Sequence, residues 1–193
     1  QSYPHKMLTG RVEAYLVEKE YDEVSGYTNP EESPHDFFNV GHTSTSISLA
    51  TGLAKARDLA GRHENIIAFI GDGSMSGGEA LEGLNVAGEM QTNFIIVFND
   101  NDQSIAENHG GMYKEFRRLR ETNGTAENNL FRAMGLDYRY VADGNDCEAL
   151  IAAFRAVKDS QTPVVVHIHT QKGKGYKFAE EDPETCHYRM PFD

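Results

Sequence analysis

Tryptophan is absent from the 193 residues, cysteine occurs twice and proline six times. Two thiols as far apart as Cys147 and Cys186 exclude a disulfide framework or a cysteine-rich zinc site, and they fit a reducing compartment, so a cytoplasmic location is expected. No apolar run approaches the ~20 residues that cross a bilayer. Stretches such as Phe94-Ile95-Ile96-Val97-Phe98 have only the length of a strand. No secretory leader pattern opens the chain. Positive charge is also scarce, with 18 Lys and Arg against 30 Asp and Glu and a net charge of −12. Such a mean field repels phosphate backbones and anionic bilayers, so neither nucleic acid nor membrane is an expected partner. A phosphate ligand would need a bound cation or aimed backbone N–H groups.

What is present suffices for one sizeable core, since 39% of the residues are hydrophobic. Residues 1–40 are polar and irregular, with Pro4, Pro30 and Pro34, and predict a loop carrying at most one short helix near 11–19. That is long for a connection inside a compact domain. From 41 to 170 the pattern is regular. Thr43 or Ser44 can cap a helix to about residue 59, closed by Gly61. Apolar runs at 66–70, 94–98, 138–141 and 163–169 predict strands, and segments at 78–90, 112–120, 130–134 and 146–158 predict helices between them. Strands alternating with helices imply an α/β fold, a parallel sheet flanked by helices with right-handed crossovers. Residues 171–193 read as a C-terminal loop. In such sheets ligands sit outside the carboxyl ends of the strands.

Two strand ends are polar, Gly71-Asp72-Gly73-Ser74 and Asn99-Asp100-Asn101. Glycines admit close approach of a ligand, and the start of the following helix favours an anion. A carboxylate in that turn repels a bare phosphate unless a divalent cation stands between them, and Mg²⁺ prefers oxygen ligands of this kind. Asn101 follows Asp72 by 29 residues, one strand–helix–strand unit, so neighbouring strands would set both oxygens beside one ion. A dinucleotide site fits worse, because Gly71-Asp72-Gly73-Ser74-Met75-Ser76-Gly77 has one residue too many before its last glycine. Gly173-Lys174-Gly175-Tyr176 lacks the spacing and the hydroxyl of a P-loop. His167 and His169 alternate on one strand and so face one side; hydrogen-bonded core or rim residues are the better reading than a metal pair.

Gly71-Asp72-Gly73, followed at this distance by Asn99-Asp100-Asn101, resembles the thiamine-diphosphate signature. Further segments are similar to the 1-deoxy-D-xylulose-5-phosphate synthase family: Tyr3-Pro4-His5-Lys6, Leu8-Thr9-Gly10-Arg11, Gly41-His42-Thr43-Ser44-Thr45-Ser46, Asn85-x-Ala87-Gly88, Ser104-Ile105-x-Glu107-Asn108 and Lys172-Gly173-Lys174-Gly175-Tyr176. The likeness covers nearly the whole chain and implies the diphosphate-binding domain of a thiamine-diphosphate-binding fold. It assigns Asp72, the Asn101 side chain and the Gln103 main-chain oxygen to Mg²⁺. It sets Gly73 and Ser74 at the diphosphate, Gly41, His42 and Thr43 along the cofactor channel, Tyr176 near the cofactor, and His187 facing the substrate, with His42 and His187 as the catalytic candidates.

The family's reaction joins pyruvate to glyceraldehyde 3-phosphate with loss of carbon dioxide, the cofactor holding the electrons left by decarboxylation. It supplies a precursor for isoprenoids and thiamine. Thr43 stands where the family has Ser, and residues 18–26 do not match the family's stretch, which leaves open a transketolase-like relative with another donor or acceptor. The family motif before Tyr3 reads Gly-His-Gln, and this chain begins at its Gln. The resemblance therefore implies a fragment, or one subunit of a split enzyme. It would lack the pyrimidine-binding domain and its activating Glu, would not turn over alone, and would complete a homodimer in the whole protein. A non-catalytic Mg²⁺–phosphate-binding module is the alternative from another class.

Overall fold

Four short runs rich in Val and Ile form one parallel sheet in the computed structural model, which describes residues 2–21 and 23–187. The strands are β1 (Ile67–Gly71), β2 (Ile95–Asp100), β3 (Asp137–Val141) and β4 (Val164–His169), in the order β1-β2-β4-β3. The central strands β2 and β4 are buried along most of their length, which is why they read as unbroken apolar runs. The edge strands alternate buried and open positions instead.

The helices of this unit are α2 (Ser46–Leu59), α3 (Asp72–Met75), α4 (Gly78–Glu89), α5 (Gly111–Glu121), α6 (Leu130–Ala133), α7 (Cys147–Val157) and α8 (Lys177–Glu181); α1 (Ser2–Lys6) belongs to the N-terminal segment. Successive strand residues point to opposite faces, so two cores form. One gathers Ile47, Leu84, Ile96, Phe98, Phe116 and Phe131 from the sheet and from α2, α4, α5 and α6. The other sets Ile95, Val97, Val164 and Val166 against Leu150, Phe154 and Val157 of α7. The α/β parallel fold expected from the alternation is therefore the fold observed.

Local chemistry explains the element ends. Asn129 caps α6 by accepting from the N–H groups of Phe131 and Arg132, and Asp146 caps α7 through the N–H of Glu148. Gly135, at φ 88°, closes α6 while the N–H of Leu136 reaches back to the Phe131 carbonyl. Helix α2 starts at Ser46 with Thr45 at its N-cap, one or two residues later than the capping expected at Thr43 or Ser44.

Helix α4 approaches the end of α6 so closely that a β-carbon at Gly88 would lie 1.9 Å from the Met134 carbonyl oxygen. Backbone cannot yield as a side chain does. Gly88→Ala is expected to destabilise the fold by about 2–3 kcal/mol, readable as a lower urea midpoint at unchanged slope.

The chain divides into two compact units, Gln1–Thr43 and Ser44–Asp193. The first is more structured than a loop with one short helix near 11–19. It carries α1, a π-turn at Met7–Arg11 and 3₁₀ turns at Val12–Tyr15 and Glu18–Glu20. Ion pairs rather than apolar periodicity order it. Lys6 is fully buried, donating to the Ser25 carbonyl and to Glu32 at 2.6 Å. Arg11 forks onto both oxygens of Asp36 at 2.7 and 2.8 Å, and His5 Nε2 meets Asp36 as well. The Arg11 guanidinium holds the Asp36 carboxyl well below the usual carboxylate range. A hydropathy pattern cannot register such a polar core.

Candidate functional site

The tips of β1 and β2 lie side by side, with Gly71 paired in register to Asn99. The chain turns at Asp72 into α3, a single helical turn that precedes the helix expected from residue 78. Asp72 is buried; its Oδ1 accepts from the Gly73 N–H at 2.7 Å and its Oδ2 from the Asn101 N–H at 3.3 Å. The Asn101 side-chain oxygen accepts from the Gln103 N–H at 3.2 Å, folding the second tip into a turn with Asp102 at φ 63°. The structure thus brings together Asp72, Asn101 and Gln103, 29 and 31 positions apart along the chain.

Electrostatics mark this point as unfinished. Asp72 has no ion-pair partner among the described residues, and burial, helped by the charge of Asp100, pushes its carboxyl up to about 6 against the hydrogen bonds of the neighbouring N–H groups. The Gln103 backbone N–H also faces Asp72, and Gln103 Oε1 is buried with no protein donor. A buried acid without an ion pair, in a turn that also carries the Asn101 amide oxygen and the undonated Gln103 Oε1, fits a hard divalent cation by donor type. No group of three or more His, Cys, Asp or Glu able to hold a metal occurs among the described residues, so a cation here would rest on one carboxylate, on amide and carbonyl oxygens, and on its ligand.

The neighbouring residues have definite places. A β-carbon at Gly73 would lie 2.5 Å from Ser104 Cβ, so glycine is what lets the loop after β2 cross here. The N–H of Gly73 is already turned onto Asp72, and the Ser74 carbonyl accepts from Gly77. Lys172, in the sequence only the first residue of the family-like segment 172–176, has a definite place in the structure. It donates to the carbonyls of Ser104 at 2.7 Å and Ile105 at 3.0 Å, and burial lowers its pKa while Asp72 works against that fall. Its signal in the sequence was weak, one lysine among the three at 172, 174 and 177.

Tyr176 is exposed at the N-cap of α8, its ring edge-on to Phe178. Gly173, at φ 78°, leaves room for Ala179 that no other residue would. The segment from 171 onward, expected as loop, therefore carries α8 and a 3₁₀ turn at Thr185–His187. His187 is an exposed residue whose pKa is lowered by partial burial and by Lys172, which places it electrostatically at the same end of the sheet. Gly41, His42 and Thr43 lie in the first unit, all exposed, where His42 Nδ1 contacts the Thr43 carbonyl at 2.6 Å.

Behind the second tip lies a network that the sequence reading missed. Asp100 is fully buried and meets Arg120 at 2.5 Å and His167 Nε2 at 2.9 Å, while His167 Nδ1 faces the Tyr138 hydroxyl at 2.8 Å. His167 is thus a hydrogen-bonded core residue, and His169 stands exposed at the strand end. A cleft of about 630 Å³ opens at the carboxyl ends of β2, β4 and β3, lined by Asn101, Gln103, His169, Thr170 and Lys172 among others. A larger groove of about 780 Å³ lies at the opposite, amino end, beside Asp137 and Val164, away from where parallel sheets bind ligands.

The profile of the 1-deoxy-D-xylulose-5-phosphate synthase family matches residues 1–128 and 121–170. The chain belongs to that family. The 1-deoxy-D-xylulose-5-phosphate synthase of Clostridium beijerinckii is 38% identical over 97% of the chain, and the enzyme designated 1-deoxy-D-xylulose-5-phosphate synthase 2 in Geobacter sulfurreducens is 39% identical over all of it. The chain spans 36% and 37% of the length of those two synthases. Transketolase from Leishmania mexicana shares the fold at 20% identity, with a TM-score of 0.54 over 72% of this chain and 21% of its own. The two family matches meet at the turn between α5 and α6. No helix among the described residues is long and apolar enough to cross a membrane.

Proposed function

We propose that this chain is the Mg²⁺- and diphosphate-binding part of a thiamine-diphosphate-dependent synthase that joins pyruvate to glyceraldehyde 3-phosphate with loss of carbon dioxide. One observation carries the reading: a buried carboxylate that forms no ion pair among the described residues, Asp72, abuts Asn101 at adjoining strand tips in a chain of this family. In this reading Asp72, the Asn101 side chain and the Gln103 carbonyl hold Mg²⁺. Gly73, Ser74, Asn101, Tyr176, Gly41, His42 and Thr43 contact the cofactor.

Bound thiamine diphosphate supplies an electron sink for decarboxylation. The chain's own part is placement and charge. Lys172, pinned to the loop that crosses Gly73, sets one positive charge near a diphosphate. His187, with its pKa lowered, is mostly neutral at pH 7 and can accept a proton from, or hydrogen-bond to, an oxygen of the substrate. His42 is the second candidate for such a role.

The activating Glu and the pocket for the pyrimidine ring come, in this reading, from a companion domain, and the whole protein is a cytoplasmic homodimer. Ile67 and Phe69 support such a cover. They lie on the face of the sheet that α7 buries elsewhere, yet at the edge strand β1 they stand open. Both cysteines are free, in keeping with a reducing compartment.

The transketolase-like fold favours, as a second reading, a relative with another donor or acceptor. The deciding experiment gives the intact protein Mg²⁺, thiamine diphosphate, pyruvate and a panel of aldehydes. Release of carbon dioxide that depends on glyceraldehyde 3-phosphate is the expected result. Turnover only with a ketose donor establishes the second reading, and cofactor binding without any turnover a non-catalytic module.

A further inference from the structure

We infer that Arg120 is a positioning residue for the metal-binding turn, its one guanidinium bracing the two carboxylates that flank Asn101. The inference rests on the proposal that Asp72 and Asn101 share a cation. Arg120 stands in the last turn of α5, its side chain only 9% exposed, and spans Asp100 Oδ2 at 2.5 Å and Asp102 Oδ1 at 2.8 Å. The other oxygen of Asp100 accepts from the Asp102 N–H at 3.1 Å, and Asn101 Oδ1 accepts from the Gln103 N–H. The turn is therefore tied together at every residue from 100 to 103, with Arg120 as the tie that comes from outside it.

This tie has something to hold. Asp102 sits at φ 63°, a left-handed conformation that a residue other than glycine adopts at an energetic cost, and an ion pair offsets that cost. Asp72, Asp100 and Asp102 are three carboxylates around one turn, and Arg120 is the cation that pairs with two of them. Arg117 lies 3.9 Å from Asp102 on a half-exposed side chain, too far to replace the brace. Without Arg120 the turn loses the constraint on where Asn101 and Gln103 present their oxygens to Asp72. Partners behind a metal's direct ligands commonly set its affinity in this way.

Electrostatics alone predicts the opposite sign. Deleting a positive charge near a cation site makes the site more negative and should tighten cation binding. A weaker site in Arg120→Ala can therefore come only from lost positioning or from general destabilisation. Arg57 separates those two. It is more buried than Arg120, and it braces Asp58, Thr92 and the carbonyls of Glu64 and Asn93 ahead of β1 and β2, at the far end of the sheet.

The test titrates the intact protein with Mn²⁺ in the presence of thiamine diphosphate and reads the free ion by electron paramagnetic resonance. Arg120→Ala should bind Mn²⁺ about tenfold more weakly or worse. Arg120→Lys, which keeps the charge and can reach one carboxylate but not both, should fall between it and the wild type and supplies the result if the alanine variant does not fold. Arg57→Ala should unfold at a lower temperature yet bind Mn²⁺ as the wild type does. Unchanged or tighter binding in both Arg120 variants, or an equal loss in Arg57→Ala, overturns the inference. Asp72→Asn keeps the two levels apart. If it binds Mn²⁺ like the wild type, the cation site itself is wrong. If it loses Mn²⁺ while the Arg120 variants do not, only the brace is wrong.

Discussion

Asp72→Asn is expected to abolish Mg²⁺-dependent binding of thiamine diphosphate and, in the same protein, to make the metal-free state more stable at neutral pH. The sign follows from burial. The folded carboxyl is raised to about 6 from an unfolded value near 3.8. Below about 4 it is protonated in both states and contributes nothing. Between about 4 and 6 the folded state keeps a proton that the unfolded chain gives up, so stability falls as pH rises through that window. Above 6 the whole cost persists, about 2–3 kcal/mol for a shift of this size. Asn carries no charge to bury and is free of it.

His167 contributes oppositely nearby. Its pKa is lowered by burial, so its stability is lost as pH falls below the ordinary histidine range. The difference between wild type and Asp72→Asn removes that shared contribution. Thermal unfolding of both proteins from pH 4 to 8 should show curves that meet in acid and part above pH 6, the variant being the more stable. Saturating Mg²⁺ and cofactor should raise the wild type alone. Calorimetry that finds equal cofactor affinity in the two proteins would refute the role of Asp72, whatever the stability curves show.

Much of this fold is legible because the sheet is parallel. β2 and β4 are covered on both faces, so their apolar runs stand out, and glycine or an acidic or amide cap marks the ends of the helices between them. The adjacency of Asp72 and Asn101 follows from the same logic, since one strand–helix–strand unit returns the chain to the neighbouring tip. What stayed hidden depends on pairs distant in sequence with no periodic signature. Lys6 reads as a surface lysine until Glu32 and Ser25 are seen around it. Lys172 is indistinguishable from Lys174 until its contacts with the 104–105 carbonyls are known. Asp100 reads as the middle of a polar loop, yet its side chain points back into the core, where His167 and Arg120 wait 67 and 20 residues further along.

That arrangement gives the largest stability effect expected of any single substitution here. Asp100→Ala should destabilise the fold by about 3–5 kcal/mol, because it removes the shared acceptor of two buried donors. Arg120 would keep only Asp102, itself partly exposed, and His167 Nε2 would lose its partner in a fully enclosed site. The neutral state of His167 also fixes the direction of the chain. Its one ring proton sits on Nε2 facing Asp100, so Nδ1 accepts from the Tyr138 hydroxyl, which burial keeps protonated. Nitrogen NMR of the intact protein should therefore show His167 as the Nε2–H tautomer at neutral pH, and Asp100→Ala should disturb it. Asp100→Asn preserves one acceptor oxygen and should cost less than the alanine variant. A domain of ordinary stability, about 5–15 kcal/mol, would lose a large fraction in Asp100→Ala. Equal stability of the alanine and asparagine variants would mean that Arg120 and His167 find water or other partners, and that the network behind the strand tip is dispensable to the fold.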